Sequence, residues 1–247
     1  MDVLVIDIGG TSVKLWHTAH EEHRKFASGK NLTPEKLFGE IKTLAQEWRW
    51  EAVALGLPCR VSNGRPVEDP QNLGPGWVGF NFAAAFGQPV RIMNDAALQA
   101  LGSYDGGRML FLGLGTAVGS AYIAEHLILS LDLGRMMYGD QRLSELLGDE
   151  GFEALGAKKW QAVVHDILPA LKNAMMADYV VLGGGSVKKI DQLPDGTRRG
   201  DSPEHRRRVK SRVVRRHRRH QAQTTHQLDA GRQAHENSIT AKMLALA

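Results

Sequence analysis

VLVIDIGGTSVKLW, residues 3–16, sets a carboxylate, two glycines and two hydroxyls between two apolar runs. Val3 to Ile8 is rich in β-branched residues, which predicts a buried strand. Gly9-Gly10-Thr11-Ser12 is a turn, and Val13 and Leu15 alternating with Lys14 and Trp16 resume as a second strand. A tight β-hairpin accounts for the glycines. It does not account for Asp7, a carboxylate at the end of an apolar strand, beside a turn rich in N–H donors and hydroxyls. Such a turn can cradle phosphate oxygens while the carboxylate holds a hydrated Mg²⁺ that neutralises them. From the stretch alone, hairpin and phosphate cradle both stand. Two other phosphate motifs are excluded by spacing. No G-x-x-x-x-G-K-[ST] string follows the first strand, and the glycines open onto a strand rather than the helix that a dinucleotide fingerprint requires.

The pattern recurs along the chain. MLFLGLGTAVGSAYIA, residues 109–124, is again strand, Gly-rich turn, strand, and DYVVLGGGSVKKIDQL, 178–193, reads as strand, three glycines and a helix. The two hairpins predict equivalent parts of two related lobes. Between them, Thr33-Pro34 starts a helix carried by Leu37, Ile41 and Leu44, AVALGLPC (52–59) is a short buried strand, and Pro58 to Gly79 is a long loop. FNFAAAFG suggests a short helix, PVRIMNDAALQALG is a strand running into a helix at Asp95, and 143–178 is helical in period.

The chain has 247 residues, 43% hydrophobic and 23% charged, which suits a globular protein with real cores. No apolar run is long enough to span a membrane and no basic leader precedes Asp2, so neither a span nor a signal peptide is expected. The lone Cys59 excludes an internal disulfide framework and a multi-cysteine zinc site, and fits a cytoplasmic protein. Charge is uneven: residues 1–197 hold 18 basic and 23 acidic residues, a net −5, whereas 198–247 hold 13 and 4, a net +9. HRRRVKSRVVRRHRRH, 205–220, has no apolar face. It reads either as a basic arm for phosphate-bearing partners or, the favoured reading, as an out-of-frame, disordered ending.

Three Gly-rich turns at strand ends resemble the design of the actin-like ATPase and sugar-kinase superfamily. Within it, the motifs resemble those of the ROK family, and there the polyphosphate-type glucokinases. DIGGTSVKLW is similar to the first phosphate motif of that family, LGLGTAVGSAYI (112–123) to its second, LGGGS (182–186) to the segment that closes over the nucleotide, and MNDAALQA (93–100) to its N-D-A motif. The resemblance implies an α/β, two-lobed actin-like ATPase (ribonuclease H-like) fold with mixed sheets and a phosphate cleft between the lobes. The expected division is 1–104 for one lobe, 105–200 for the other and 201–247 for the tail. The implied activity is transfer of a phosphoryl group from polyphosphate or ATP to the 6-hydroxyl of glucose or a related hexose, with Mg²⁺. The alternative is a sugar-sensing or degenerate kinase that keeps the fold without the turnover. Asp95 would be the catalytic base, with Asn94, Asp95, Asp132 and Asn72 on the sugar. Gly9, Gly10, Thr11, Lys14, Gly115, Thr116, Gly183, Gly184 and Gly185 would hold the donor, and Asp7 the Mg²⁺ through water. A homodimer is allowed by the resemblance, and nucleic acid is not expected as a partner.

The chemistry can be argued from the residues too. Phosphoryl transfer needs positioning, charge neutralisation and a base for the hydroxyl proton. Asp95, beside the Asn94 amide at a strand-to-helix junction, suits that base, although Asp in such a place is often only a helix cap. Departures from the family pattern are Ala117 in place of a glycine, Cys59 at a glycine position, and LDLGR (131–135), where Asp132 and Arg135 replace the Glu and His of E-x-G-H. Cys59 reads as a small buried residue rather than a nucleophile. Trp77 reads equally as core or as lining of the sugar-side loop.

Overall fold

The fold is that of a computed structural model, and residues 2–20, 22–125 and 127–200 are described. The basic stretch 201–247, read above as a tail, lies outside the described residues.

Two five-stranded mixed sheets share one topology. The first is built from β1 (Val3–Ile8), β2 (Ser12–His17), β3 (His23–Ala27), β4 (Ala52–Leu57) and, after a small hairpin of β5 (Val61–Ser62) and β6 (Arg65–Pro66), β7 (Val90–Asn94). Its order is β3-β2-β1-β4-β7, with β1, β4 and β7 parallel and β2 and β3 antiparallel to their neighbours. The second contains β8 (Arg108–Leu114), β9 (Val118–Ala124) and β10 (Leu127–Leu131). After the ribbon β11 (Met137–Tyr138) and β12 (Gln141–Arg142) it is completed by β13 (Tyr179–Gly183) and β14 (Thr197–Arg199), in the order β10-β9-β8-β13-β14. Strand for strand the second repeats the first, as the paired hairpins predict.

Helices then cover the faces that the alternation leaves apolar. Helix α1 (Pro34–Leu44) starts where expected, with the Thr33 side chain accepting from the Lys36 N–H and Pro34 in the first turn. It buries Leu37 and Ile41 on the outer face of the first sheet, each contributing about 1.5–3 kcal/mol. Helix α2 (Phe82–Phe86) is capped by Asn81 and ends on Gly87. Helices α4 (Leu143–Leu147) and α5 (Asp149–Ala174) cover the outer face of the second sheet. The helical stretch read over 143–178 is thus two helices, and Gly156 at φ 71° bends the second.

Helix α3 (Asp95–Ser103) decides where the site forms, because it lies between the two sheets. Its Ala96, Ala97 and Ala100 pack in one core with Val5, Ala52 and Ala54 of the first sheet and Phe111, Ala121 and Ile123 of the second. Small side chains bring the layers close: a Cβ at Gly56 would fall 2.8 Å from Leu98 Cδ2, and one at Gly119 would fall 3.1 Å from Ala96 Cβ.

One expectation needs correction: LGGGSVKK does not open a full helix, since Gly185–Lys189 is a single 3-10 segment. Strand β3 adds an edge that no apolar run in the sequence marks. Among the described residues no helix is long and apolar enough to cross a membrane.

Candidate active site

Strand β7 ends on Asn94 and α3 begins at Asp95, and the capping is done by Asn94. Its Oδ1 accepts from the N–H groups of Ala96 and Ala97 at 3.0 and 3.4 Å, and its Nδ2 donates to the carbonyls of Cys59 and Leu57 at 3.3 and 3.5 Å. The cap reading of Asp95 is therefore corrected: Asp95 is the first helical residue, half-buried, with Oδ1 accepting from the Ala96 N–H at 2.9 Å. Burial first, and the charge of Asp7 second, push the Asp95 carboxyl up to about 7, against the opposing pull of the Ala96 amide and the Asn94 side chain. A carboxyl poised near neutrality is what a proton acceptor at physiological pH requires.

Asp7 is 5% exposed near the end of β1. Both its oxygens lie 3.4 Å from Gln99 Nε2, which donates from the next turn of α3. The turn after β1 is closed by Gly9 N–H donating to Ser12 O at 2.9 Å, and is buttressed by Ser28, whose hydroxyl donates to Gly9 O at 2.7 Å and whose N–H donates to Thr11 O at 3.1 Å. Gly10 and Thr11 are left exposed. Asn72 reaches this turn, for a Cβ on Gly10 would lie 3.6 Å from Asn72 Nδ2. The loop that carries Asn72 is organised by Asp69, which accepts from the N–H groups of Gly76, Trp77 and Val78 at 3.2, 2.8 and 3.2 Å. Although burial works to raise it, those three donors hold the Asp69 carboxyl below its ordinary value. Trp77 is buried in the core, its Nε1 donating to Gly74 O at 2.7 Å. Of its two readings the core one holds.

In the second sheet, the turn of Gly115, Thr116 and Ala117 is partly or fully exposed. It is tied to the start of α5 through Asp149 N–H donating to Gly115 O at 2.9 Å. Asp149 in turn accepts from the Ser186 hydroxyl and, at 3.3 Å, from Lys189 Nζ, so the triple-glycine segment and the second turn are held together. The three glycines differ in purpose. A Cβ on Gly183 would fall 2.6 Å from the Phe111 ring, one on Gly184 would fall 2.1 Å from Leu114 O, and one on Gly185 would meet nothing within 4 Å. Close packing explains the first two, and only Gly185 leaves open space for a ligand.

Asp132 precedes a short 3-10 turn that ends on Arg135, and the two pair, Arg135 Nε to Asp132 Oδ2 at 3.0 Å, with the Arg135 side chain 73% and the Asp132 side chain 64% exposed. Their neighbour Leu133 is anchored by its N–H to Ser120 Oγ at 3.0 Å. Cys59 is buried, and burial, with help from nearby carboxylates, pushes its thiol up to about 12, so it is no nucleophile.

Three residues escape a reading by motif. Asp69 stands outside every quoted motif, and Gln99, although inside MNDAALQA (93–100), carries no role that the motif assigns. Lys25 is placed by register: Asp7 faces Lys14 and Lys14 faces Lys25 across adjacent strands, so the two exposed cations continue a row that starts at Asp7. Like charges directly opposite each other destabilise a sheet unless something anionic lies across them. Pairing β3 with β2 would have found Lys25, but the strand itself was hidden by its polar composition.

No three-carboxylate, histidine or cysteine cluster able to hold a metal by itself occurs among the described residues. Mg²⁺ keeps most of its waters and takes one or two carboxylates plus donor phosphates, and Asp7, a carboxylate 5% exposed with Gln99 Nε2 at 3.4 Å from each oxygen, could supply one such contact.

No protein-family model matches the chain. Over 211 residues it is 27% identical to the polyphosphate glucokinase of Mycobacterium leprae, covering 76% of this chain and 64% of that protein, so it spans less than two thirds of that relative. Its fold is similar to the inorganic polyphosphate/ATP-glucomannokinase of Arthrobacter, with a TM-score of 0.70 at 17% identity over 88% of this chain and 99% of that one. It is also similar to a ROK family glucokinase of Streptomyces griseus in complex with glucose and AMPPNP, with a TM-score of 0.64 at 13% identity over 87% and 99% of the two chains. The repeated sheets and the turns at their strand ends define a two-lobed actin-like α/β fold. Within that class the chain resembles the ROK sugar kinases, and in sequence the polyphosphate glucokinases.

Proposed function

We propose that this chain is a sugar kinase that transfers the terminal phosphoryl group of polyphosphate or ATP to the 6-hydroxyl of glucose or a related hexose. The observation that carries the reading is a half-buried carboxyl poised near neutrality, Asp95, within reach of the charge of Asp7 and at the start of the helix packed between the two sheets. In this reading Asp95 accepts the proton of the attacking hydroxyl as the O–P bond forms and the bond to the leaving phosphate breaks. Asn94 and Asn72 orient the sugar, and Asp132 contributes from the second lobe. Gly9, Gly10, Thr11 and Lys14 hold the donor from one side, and Gly115, Thr116 and Gly185 from the other, with Gly183 and Gly184 setting the close packing that places Gly185. Mg²⁺, when bound at Asp7, would neutralise the donor phosphates. A cytoplasmic setting and a homodimer accord with the reading. A coupled assay over a panel of hexoses, run separately with ATP and polyphosphate, tests it. Glucose binding without turnover by either donor would favour a sugar sensor instead.

Lys25→Glu is expected to raise KM for long-chain polyphosphate about tenfold, or ~1.4 kcal/mol, with a smaller effect on ATP. The difference should shrink as salt is added, because both lysines are exposed. Equal shifts for both donors would remove Lys25 from the path of the polyanion.

Arg135→His is expected to lower KM for glucose several-fold, since it frees Asp132 from its ion pair and restores a shorter polar side chain. So exposed a pair adds little to stability, and Tm should stay put. An unchanged KM would mean that this turn does not face the sugar.

A further inference from the structure

Gln99 lies one helical turn beyond Asp95, so the two project from the same face of α3. Its Nε2 sits 3.4 Å from each oxygen of Asp7 in the first sheet. Its Oε1 comes within 3.4 Å of the position that a Cβ on Gly183, in the second sheet, would take. One side chain thus touches the strand that carries Asp7 and the strand that leads into the triple-glycine segment. A glycine at 183 leaves room for that amide, since a side chain there would also run into the Phe111 ring. The residue type suits the position. A lysine would cancel the charge of Asp7 and compete with a cation, whereas a neutral amide donor fixes the carboxylate plane and leaves its charge intact.

We propose that Gln99 is a positioning residue of the phosphotransfer site, which holds the Asp7 carboxylate in the orientation that receives the hydrated cation and keys that orientation to the strand bearing Gly183. The proposal rests on the kinase reading, in which Asp7 serves the donor side. It does not make Gln99 a catalytic residue, because Gln99 acts through Asp7.

Two substitutions separate its features. Gln99→Met keeps the length and bulk without the donor, and Gln99→Asn keeps the amide without the reach. The measurements are calorimetric Mg²⁺ binding in the presence of a non-hydrolysable ATP analogue, KM for glucose, and Tm. Both variants are expected to weaken Mg²⁺ binding about tenfold and to raise the Mg²⁺ needed for half-maximal turnover by the same factor. KM for glucose should stay within about twofold, and a role in packing alone would not produce that split. Wild-type affinity for Mg²⁺ in either folded variant overturns the proposal, as does a parallel loss of Mg²⁺ and glucose affinity, or a wild-type protein that takes up no Mg²⁺ with the analogue. A wild-type protein that binds Mg²⁺ and the analogue yet phosphorylates no hexose sinks the kinase reading, and the two variants still decide the role of Gln99.

Discussion

Asp95→Asn is expected to lower kcat by about 10²–10⁴-fold, the usual contribution of a positioned general base, while glucose binds nearly as before. The substitution keeps shape and size and removes only the ability to take a proton. It is also clean with respect to folding, because the helix cap is made by Asn94 and not by Asp95. The wild-type rate should rise with pH through about 7, where burial and the charge of Asp7 have placed the Asp95 carboxyl. Stability runs the other way. The folded state holds this proton up to about 7, whereas the unfolded chain releases it near 3.8, so folding loses stability as pH rises between those values and is level above them. The asparagine variant lacks that slope and should melt at or above the wild-type temperature at pH 8. Measuring kcat, glucose affinity and Tm from pH 5 to 8 in both proteins checks the whole argument. A variant that keeps its turnover within tenfold would remove Asp95 from the chemistry.

What a sequence makes legible here is local. Asp7, the glycines behind it and the strand–helix junction at Asp95 are adjacent in the chain, so their chemistry is visible as motifs. The duplication of the sheets was visible for the same reason, as two hairpins of one design, and the matching strand orders bear it out. Hidden features depend on register or on distant contacts. Strand β3, HRKFA, alternates exposed and half-buried residues at a sheet edge and carries no apolar signature. Consequently no local pattern marks Lys25, although it continues the row of Asp7 and Lys14. Gln99 meets Asp7 across 92 residues of chain, a contact no local pattern encodes. Conversely, Asp132 and Arg135 were legible as departures from E-x-G-H, but their mutual ion pair follows only from the 3-10 turn that sets them three residues apart on one side.

Gly184→Ala should be the most damaging single methyl in the second lobe, with a loss of about 3–5 kcal/mol and a fall in Tm of roughly 10 °C. Gly184 sits at φ 87° and ψ 171°, a region open in practice to glycine alone. A side chain forced into it costs about 1–3 kcal/mol before any contact is counted. The contact adds more, because the new Cβ would lie 2.1 Å from Leu114 O and 2.7 Å from its carbonyl carbon. Those are backbone atoms of β8 and cannot swing aside as a side chain would. Relief requires β8 and β13 to separate where Leu112 faces Leu182 and Gly113 faces Gly183. That shift would carry the triple-glycine segment away from Asp149, which links Ser186 to the turn at Gly115, so the donor side should loosen together with the fold. Gly185→Ala is the matched control. It has no positive φ and nothing within 4 Å of the added methyl, so Tm should hold, and any rise in KM for the donor would report a ligand passing over that open face. Thermal unfolding of the two variants side by side decides the matter. Equal melting temperatures would mean that the positive φ at Gly184 is not used in solution, and a Gly185 variant that alone unfolds would show the packing demand one residue further along.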